Sequence, residues 1–140
     1  MRKITIMTVG KLKEPHFRAA SEEYRKRLSS YCELQIREYS EDRLFPLQER
    51  KGFVISLEIE GKECSSEEFA KELENLSLKG ESHLIFLIGG SDGMCEEVKQ
   101  KADLALSFSR MTFPHELMRV ILLEQIYRAF RILRKEPYHK

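Results

Sequence analysis

Residues 83–93 read HLIFLIGGSDG, and this stretch decides the fold class. The apolar run from Leu84 to Ile88 lacks the polar alternation of a strand with one wet face. An uninterrupted apolar strand is covered on both faces, the habit of parallel sheets whose crossover helices lie over both sides. The glycines that follow predict a turn at the strand's carboxyl end, where ligands bind in open α/β sheets.

Working outward, other segments repeat this alternation. Lys3 to Val9 predicts a strand closed by Gly10, and Phe17, Ala20, Tyr24, Leu28 and Tyr31 recur at helical spacing over 15–31. Cys32 to Tyr39 and Phe53 to Ile59 predict two further strands, separated by an aperiodic loop with Pro46. Ser65, three residues before Glu68, carries a capping-box signature for a helix that ends near Gly80. A short helix over 94–102, an extended segment over 104–109 and a last helix from Pro114 to about Arg134 complete the chain. Strands alternating with helices predict an α/β layer fold with a mostly parallel sheet flanked by helices. At 140 residues, without repeats or low-complexity tracts, residues 1–140 are expected to form one domain.

The composition excludes several classes. No stretch approaches the ~20 apolar residues of a membrane span. The opening MRKITIMTVGKLK is too short in its apolar part for a signal peptide, so a cytoplasmic location is expected. The 3 cysteines, Cys32, Cys64 and Cys95, are an odd number without a CxxC pair, which argues against a disulfide framework or a zinc site. The four histidines, His16, His83, His115 and His139, show no metal-ligand spacing, and no metal is expected. A net charge of +1 does not speak against a nucleic-acid partner, because local clusters matter more than the sum.

The last helix is apolar around more than one stripe. Leu117, Met118, Val120, Ile121, Leu122, Leu123, Ile126, Tyr127 and Phe130 exceed the ~100° face that one packing surface needs. Either the helix is sandwiched within its own domain, or its second side meets another copy in a symmetric homodimer.

Two stretches could form a pocket. Gly89 to Gly93 permits close backbone approach of a ligand, or serves as a tight turn only. Its spacing is not GxGxxG, and no GxxxxGKS/T motif exists, so a phosphate-binding loop is excluded. In LALSFSRMTFPHELMR, residues 104–119, the hydroxyls of Ser107, Ser109 and Thr112 either cap the helix or wall the same pocket. There is no GxSxG, and His115 reads equally as structural or functional.

Glu124, Arg128, Arg131 and Lys135 lie on one stripe of the last helix. Glu124 and Arg128 are in the favourable order for an i,i+4 pair, and cations complement the helix dipole there. From Arg128 onward, Arg128, Arg131, Arg134, Lys135 and Lys140 face a single acid, Glu136. This basic end suits phosphate contact, and Tyr138 offers a face for an unstacked base.

FLIGGSDG, LSFSRMTFPHELMRVILLEQIYRAFRI and the terminal PYHK, with ITIMTVGKLKEPHF and SLEIEGK, resemble the ribosomal RNA large subunit methyltransferase H family over nearly the whole chain. That family belongs to the SPOUT class of α/β-knot methyltransferases. The resemblance implies a single SPOUT domain with a C-terminal trefoil knot, a threading that general folding rules would not suggest. It implies a homodimer packed through the knotted region, and S-adenosylmethionine as cofactor, with no metal. The implied reaction is methylation of N3 of a pseudouridine in a 23S rRNA stem-loop of assembled ribosomes. Carried over by motif, Leu57, Gly89 with its neighbour Gly90, and the run Phe108, Ser109, Arg110, Met111, Thr112 and Phe113 would hold the cofactor. The tail is expected to serve the substrate. His139, as an imidazole of pKa near ~6.5, would take the N3 proton or hold the base. Tyr138 would stack or hydrogen-bond, and Arg128 and Lys140 would meet phosphate or the carbonyl edge. Glu124 would orient Arg128 or act as base. The chain departs from the family in the segment between the second and third strands, cut here to SEDRLFPLQERKG. The rival expectations are a non-enzymatic dimeric RNA-binding protein and a nucleotide-binding regulatory domain.

Overall fold

A computed structural model describes residues 2–48 and 51–140. Five parallel strands form one sheet in the order β2-β1-β4-β3-β5. They are β1 (Arg2–Val9), β2 (Cys32–Tyr39), β3 (Phe53–Glu63), β4 (His83–Ile88) and β5 (Leu104–Ser107). The helices are α1 (Pro15–Leu28), α2 (Ser66–Leu78), α3 (Glu96–Gln100) and α4 (His115–Leu133).

The apolar run of β4 has the expected cause. Leu84, Phe86 and Ile88 enter one core with Ile4, Ile6 and Ile55 of the neighbouring strands, under Leu28 of α1, Leu73 of α2 and Leu122 of α4. Ile85 and Leu87 enter a second core on the opposite face, with Met7, Val54 and Val98. Alternate residues thus feed different cores, and neither face can be polar. The Ser65 capping box is present in both directions: its hydroxyl accepts from the Glu68 amide, and the Glu68 carboxylate accepts from the Ser65 amide.

Several boundaries differ from expectation: the short helix expected over 94–102 spans only Glu96–Gln100, and the extended segment expected over 104–109 is a strand only over Leu104–Ser107. The aperiodic segment after β2 is not featureless. Asp42–Leu44 makes one 3-10 turn, and the Asp42 carboxylate accepts from the Cys95 amide at 2.6 Å. Phe45 and Leu47 then plug the second core, leaving too few apolar residues to show any period. Glu49 and Arg50 of this predicted loop lie outside the described residues. β3 runs on to Glu63 instead of stopping at Ile59, because a wide bulge interrupts its pairing with β5 between Leu57 and Lys62. At Gly61 a Cβ would meet the Leu106 backbone carbon at 2.8 Å, so glycine lets β3 return to β5. Finally, α1 ends at Leu28, and Tyr31 folds into the core rather than extending the helix.

This strand order places the site. The connection after β1 leads to β2 at one edge, and that after β4 leads to β5 at the other. The crevice of an open α/β sheet forms where such connections diverge. Among the described residues no helix is long and apolar enough to cross a membrane.

Candidate active site

A cleft of about 680 Å³ opens at the carboxyl ends of β3, β4 and β5. Leu57 and the bulge of β3 form one wall, and Gly89 and Gly90 form the floor. The 108–113 loop and the first turn of α4 form the other wall. Gly89 is required for a structural reason: a Cβ there would stand 2.8 Å from the Gly93 carbonyl carbon and from Met94 Cγ. The turn packs on itself and leaves its backbone bare towards the cleft.

The 108–113 loop is shaped by its hydroxyls. Ser107 Oγ donates to the Ser109 carbonyl and Ser109 Oγ accepts from the Met111 amide, both at 2.9 Å. Two of the three hydroxyls therefore satisfy backbone, the local role such residues commonly take. Behind the loop, the start of α4 is pinned to the β1–α1 turn. Buried Arg119 donates to Glu38 Oε2 at 2.7 Å and to the Gly10 carbonyl at 3.0 Å. Glu116 accepts from the Lys13 amide, which holds its carboxyl below the usual range.

The tail is ordered by the end of α4. The Lys135 amide donates to the Ile132 carbonyl and the Glu136 amide to the Arg131 carbonyl, a Schellman pair. Lys135 occupies the left-handed position with φ 56°. The chain then doubles back along the helix. Arg131 fixes the reversal by donating to the Pro137 carbonyl, Glu136 and the Tyr31 hydroxyl. Tyr138 lands edge-on to Tyr127, with ring centroids 4.8 Å apart, and beneath the Arg128 guanidinium.

A closed polar cluster results. Arg128 donates Nη2 to Glu124 Oε2 at 2.6 Å, and the Tyr138 hydroxyl donates to the same oxygen at 2.7 Å. Burial first, and this bond second, push the Tyr138 phenol well above its ordinary range. The Glu124 carboxylate in turn raises the Arg128 pKa. Arg128 Nη1 lies 2.9 Å from His139 Nδ1. A guanidinium can only donate, so Nδ1 accepts and the neutral ring carries its proton on Nε2. That Nε2 meets Glu67 Oε1 at 2.5 Å.

Of the residues expected to hold a cofactor, Leu57, Gly89, Gly90 and Phe108 line the cleft, as do Ser109, Met111, Thr112 and Phe113. Arg110 does not: its exposed side chain turns outward to Glu63 at 3.3 Å. Of the expected catalytic residues, Glu124, Arg128, Tyr138 and His139 come together in the tail cluster, while Lys140 is exposed at its end. None of the five lines the cleft. The sequence reading did not single out Glu58, Glu60 and Lys99, which do line it, nor Glu67 and Arg119. Acids and lysines at these spacings look like ordinary surface residues, and only tertiary contacts mark them.

A family model described as predicted SPOUT methyltransferase matches residues 2–139. Ribosomal RNA large subunit methyltransferase H from Clostridium kluyveri is 46% identical over 157 residues, covering 98% of this chain and 99% of the relative. The protein of that name from Clostridium botulinum is 47% identical over the same shares. These alignments exceed the 140 residues of the chain, so the relatives carry residues that it lacks. The tRNA (m1G37) methyltransferase from Aquifex aeolicus superposes with TM-score 0.57 at 13% identity, over 91% of this chain and 70% of that one. A Legionella pneumophila protein solved in complex with the bound cofactor SAM gives 0.52 at 13% identity, over 92% and 66%. At such identities the solved structures speak for the fold alone.

Proposed function

The chain belongs to the SPOUT methyltransferase family, and from that premise we propose that it methylates N3 of a pseudouridine in a 23S rRNA stem-loop. The methyl donor is S-adenosylmethionine, the substrate is the assembled ribosome, and the place is the cytoplasm. The observation that carries the reading is two unlike sites on one helix: a cleft with apolar walls and a backbone floor at the start of α4, and the Glu124–Arg128–Tyr138–His139 cluster at its end. An RNA-binding module needs only the second, and a nucleotide sensor only the first.

The cleft fits the cofactor. Its volume lies within the ~300–1,000 Å³ of small-molecule sites. Ile88, Met94, Phe108 and Phe113 offer apolar walls for a ring system, and the bare backbone at 89–90 and along 108–113 can hydrogen-bond a base edge. S-adenosylmethionine, when bound, supplies an electrophilic methyl on a cationic sulfur that leaves as a neutral thioether. The protein must align N3 with that methyl and take the N3 proton as the new bond forms.

The tail cluster suits those tasks. Glu124 already accepts from Arg128, Tyr138 and Gln125, so we assign it to orienting rather than to proton transfer. The Arg128 fork can stabilise negative charge developing on the carbonyls that flank N3. His139 becomes the acceptor when substrate takes over Nδ1 from Arg128. Tyr138 steadies Arg128 from beneath, and Lys140 reaches for phosphate.

The two sites do not meet in one protomer. Met118 lines the cleft and Arg128 follows ten residues later on the same helix, about 15 Å along its axis. A homodimer packed on the half-exposed Leu117 and Ile121 would bring one protomer's tail to its partner's cleft. Ile59 and Met111, 46% and 72% exposed at the cleft rim, offer further apolar surface for it. The whole chain acts as one SPOUT domain, and the C-terminal trefoil threading belongs to the same proposal.

Deleting Tyr138 to Lys140 tests the division of labour. Methyl transfer to ribosomes lacking the modification should fall to background. Calorimetry should still give the wild-type affinity for S-adenosylmethionine, within about twofold. If cofactor affinity collapses with the tail, the tail belongs to the cofactor pocket. If the intact protein binds no cofactor, the RNA-binding reading takes over.

A further inference from the structure

Glu58 and Lys99 meet inside the cleft. Glu58 follows Leu57 at the point where β3 leaves its pairing with β5. The hydroxyl of fully buried Ser56 donates to Glu58 Oε2 and fixes the carboxylate from behind. The other oxygen, Oε1, stands 3.9 Å from Lys99 Nζ on α3. That separation is a charge contact but exceeds a hydrogen bond. Oε1 therefore keeps lone pairs, and the ammonium keeps N–H groups, that this contact does not use.

The surroundings sharpen the point. The Glu58 side chain is 15% exposed and that of Lys99 34%, so water screens the pair less than it would at an open surface. With Glu60, these are the Asp, Glu, Lys and Arg side chains of the cleft lining among the described residues. Ile88, Met94 and Phe108 nearby suit a ring rather than a charge. A ligand presenting an ammonium beside a carboxylate would satisfy both partners at once, each with its own opposite charge.

We propose that Glu58 and Lys99 form the subsite for the zwitterionic amino-acid end of S-adenosylmethionine. Its α-ammonium donates to Glu58, and its α-carboxylate accepts from Lys99. The inference rests on the cofactor reading above and adds to it the orientation of the cofactor in the cleft. The net negative charge of Glu58, Glu60 and Lys99 together also opposes the net positive charge of the cofactor, whose ammonium and sulfonium outnumber its carboxylate.

The test is a panel of three ligands titrated calorimetrically into wild type, Glu58→Gln and Lys99→Met. S-adenosylmethionine and S-adenosylhomocysteine both carry the amino-acid end; 5′-methylthioadenosine keeps the adenosine and thioether but lacks it. Each variant should weaken the first two ligands about tenfold, the scale of one lost charge-assisted hydrogen bond. Affinity for 5′-methylthioadenosine should stay within about twofold in both. Equal weakening of all three would mean that the pair only shapes the cleft or holds the adenosine, and would overturn the subsite. Unchanged affinities would overturn it as well. Should Glu58→Gln fail to fold, Lys99→Met on the rim helix decides the matter alone. A wild-type protein that bound none of the three would overturn the cofactor reading itself, and this subsite with it.

Discussion

Tyr138 shows how much one side chain depends on its surroundings. By resemblance, Pro137 to Lys140 is expected to serve the substrate, with Tyr138 stacking or hydrogen-bonding. The structure ties it to Glu124, Arg128 and Tyr127. Because burial and the Glu124 carboxylate raise its pKa, the folded state prefers the neutral phenol. The stability this contributes is fully present below the unfolded value of about 10 and is lost as the pH rises through the folded value. In a spectrophotometric tyrosine titration, Tyr138 should ionise later than a free phenol. Tyr138→Phe should lower the amplitude of that late ionisation by one tyrosine, and an unchanged amplitude would place Tyr138 in solvent. His139 was legible as a candidate, but its tautomer was not, because that depends on Arg128 and Glu67 from two other turns of helix.

At the scale of elements, the local signals were the dependable ones. The Ser65–Glu68 box is a contact between neighbours in the chain, so its spacing alone predicted it. Ser65→Ala should lower the thermal midpoint by about 2–4 °C. Glu68 has a lowered pKa, mainly from the hydrogen bond donated by the Ser65 amide. Its contribution is therefore present above the unfolded carboxyl value and lost as the pH falls through the folded one. Denaturant melts should show a flatter acid-side decline in Glu68→Ala than in wild type; parallel declines would mean the box does not persist in solution. The β3 bulge was illegible by contrast. It arises because β3 meets β5 twice, at Leu57 and again at Lys62, and that distant pairing leaves no local trace. Bulges of this kind often re-aim side chains at a site, as Glu58 and Ile59 are re-aimed here.

On the scale of the whole molecule, the decisive feature is the distance along α4 between cleft and tail. If sites form between protomers, two crippled variants should complement each other. Gly89→Val, whose Cβ would collide with the Gly93 backbone and so displace the turn that floors the cleft, and the Tyr138–Lys140 deletion should each lack methyl transfer. Refolded together in equal amounts, they should recover about a quarter of wild-type activity, since half the dimers are mixed and each holds one intact site. No recovery, with mixed dimers shown to form, would mean that each protomer works within itself. The sequence by itself determined what rests on neighbours and periodicity: the two-faced β4, the strand–helix alternation, the α2 cap and the apolar excess of α4. It also marked the glycine turn and the basic tail, because their residue types are unusual where they stand. Tertiary structure alone decided that Arg110 turns away from the cleft, that the segment after β2 plugs the second core, and that Glu58 and Lys99 face each other. Those outcomes depend on contacts between residues far apart in the chain, and such contacts follow from how the sheet is ordered rather than from any local pattern.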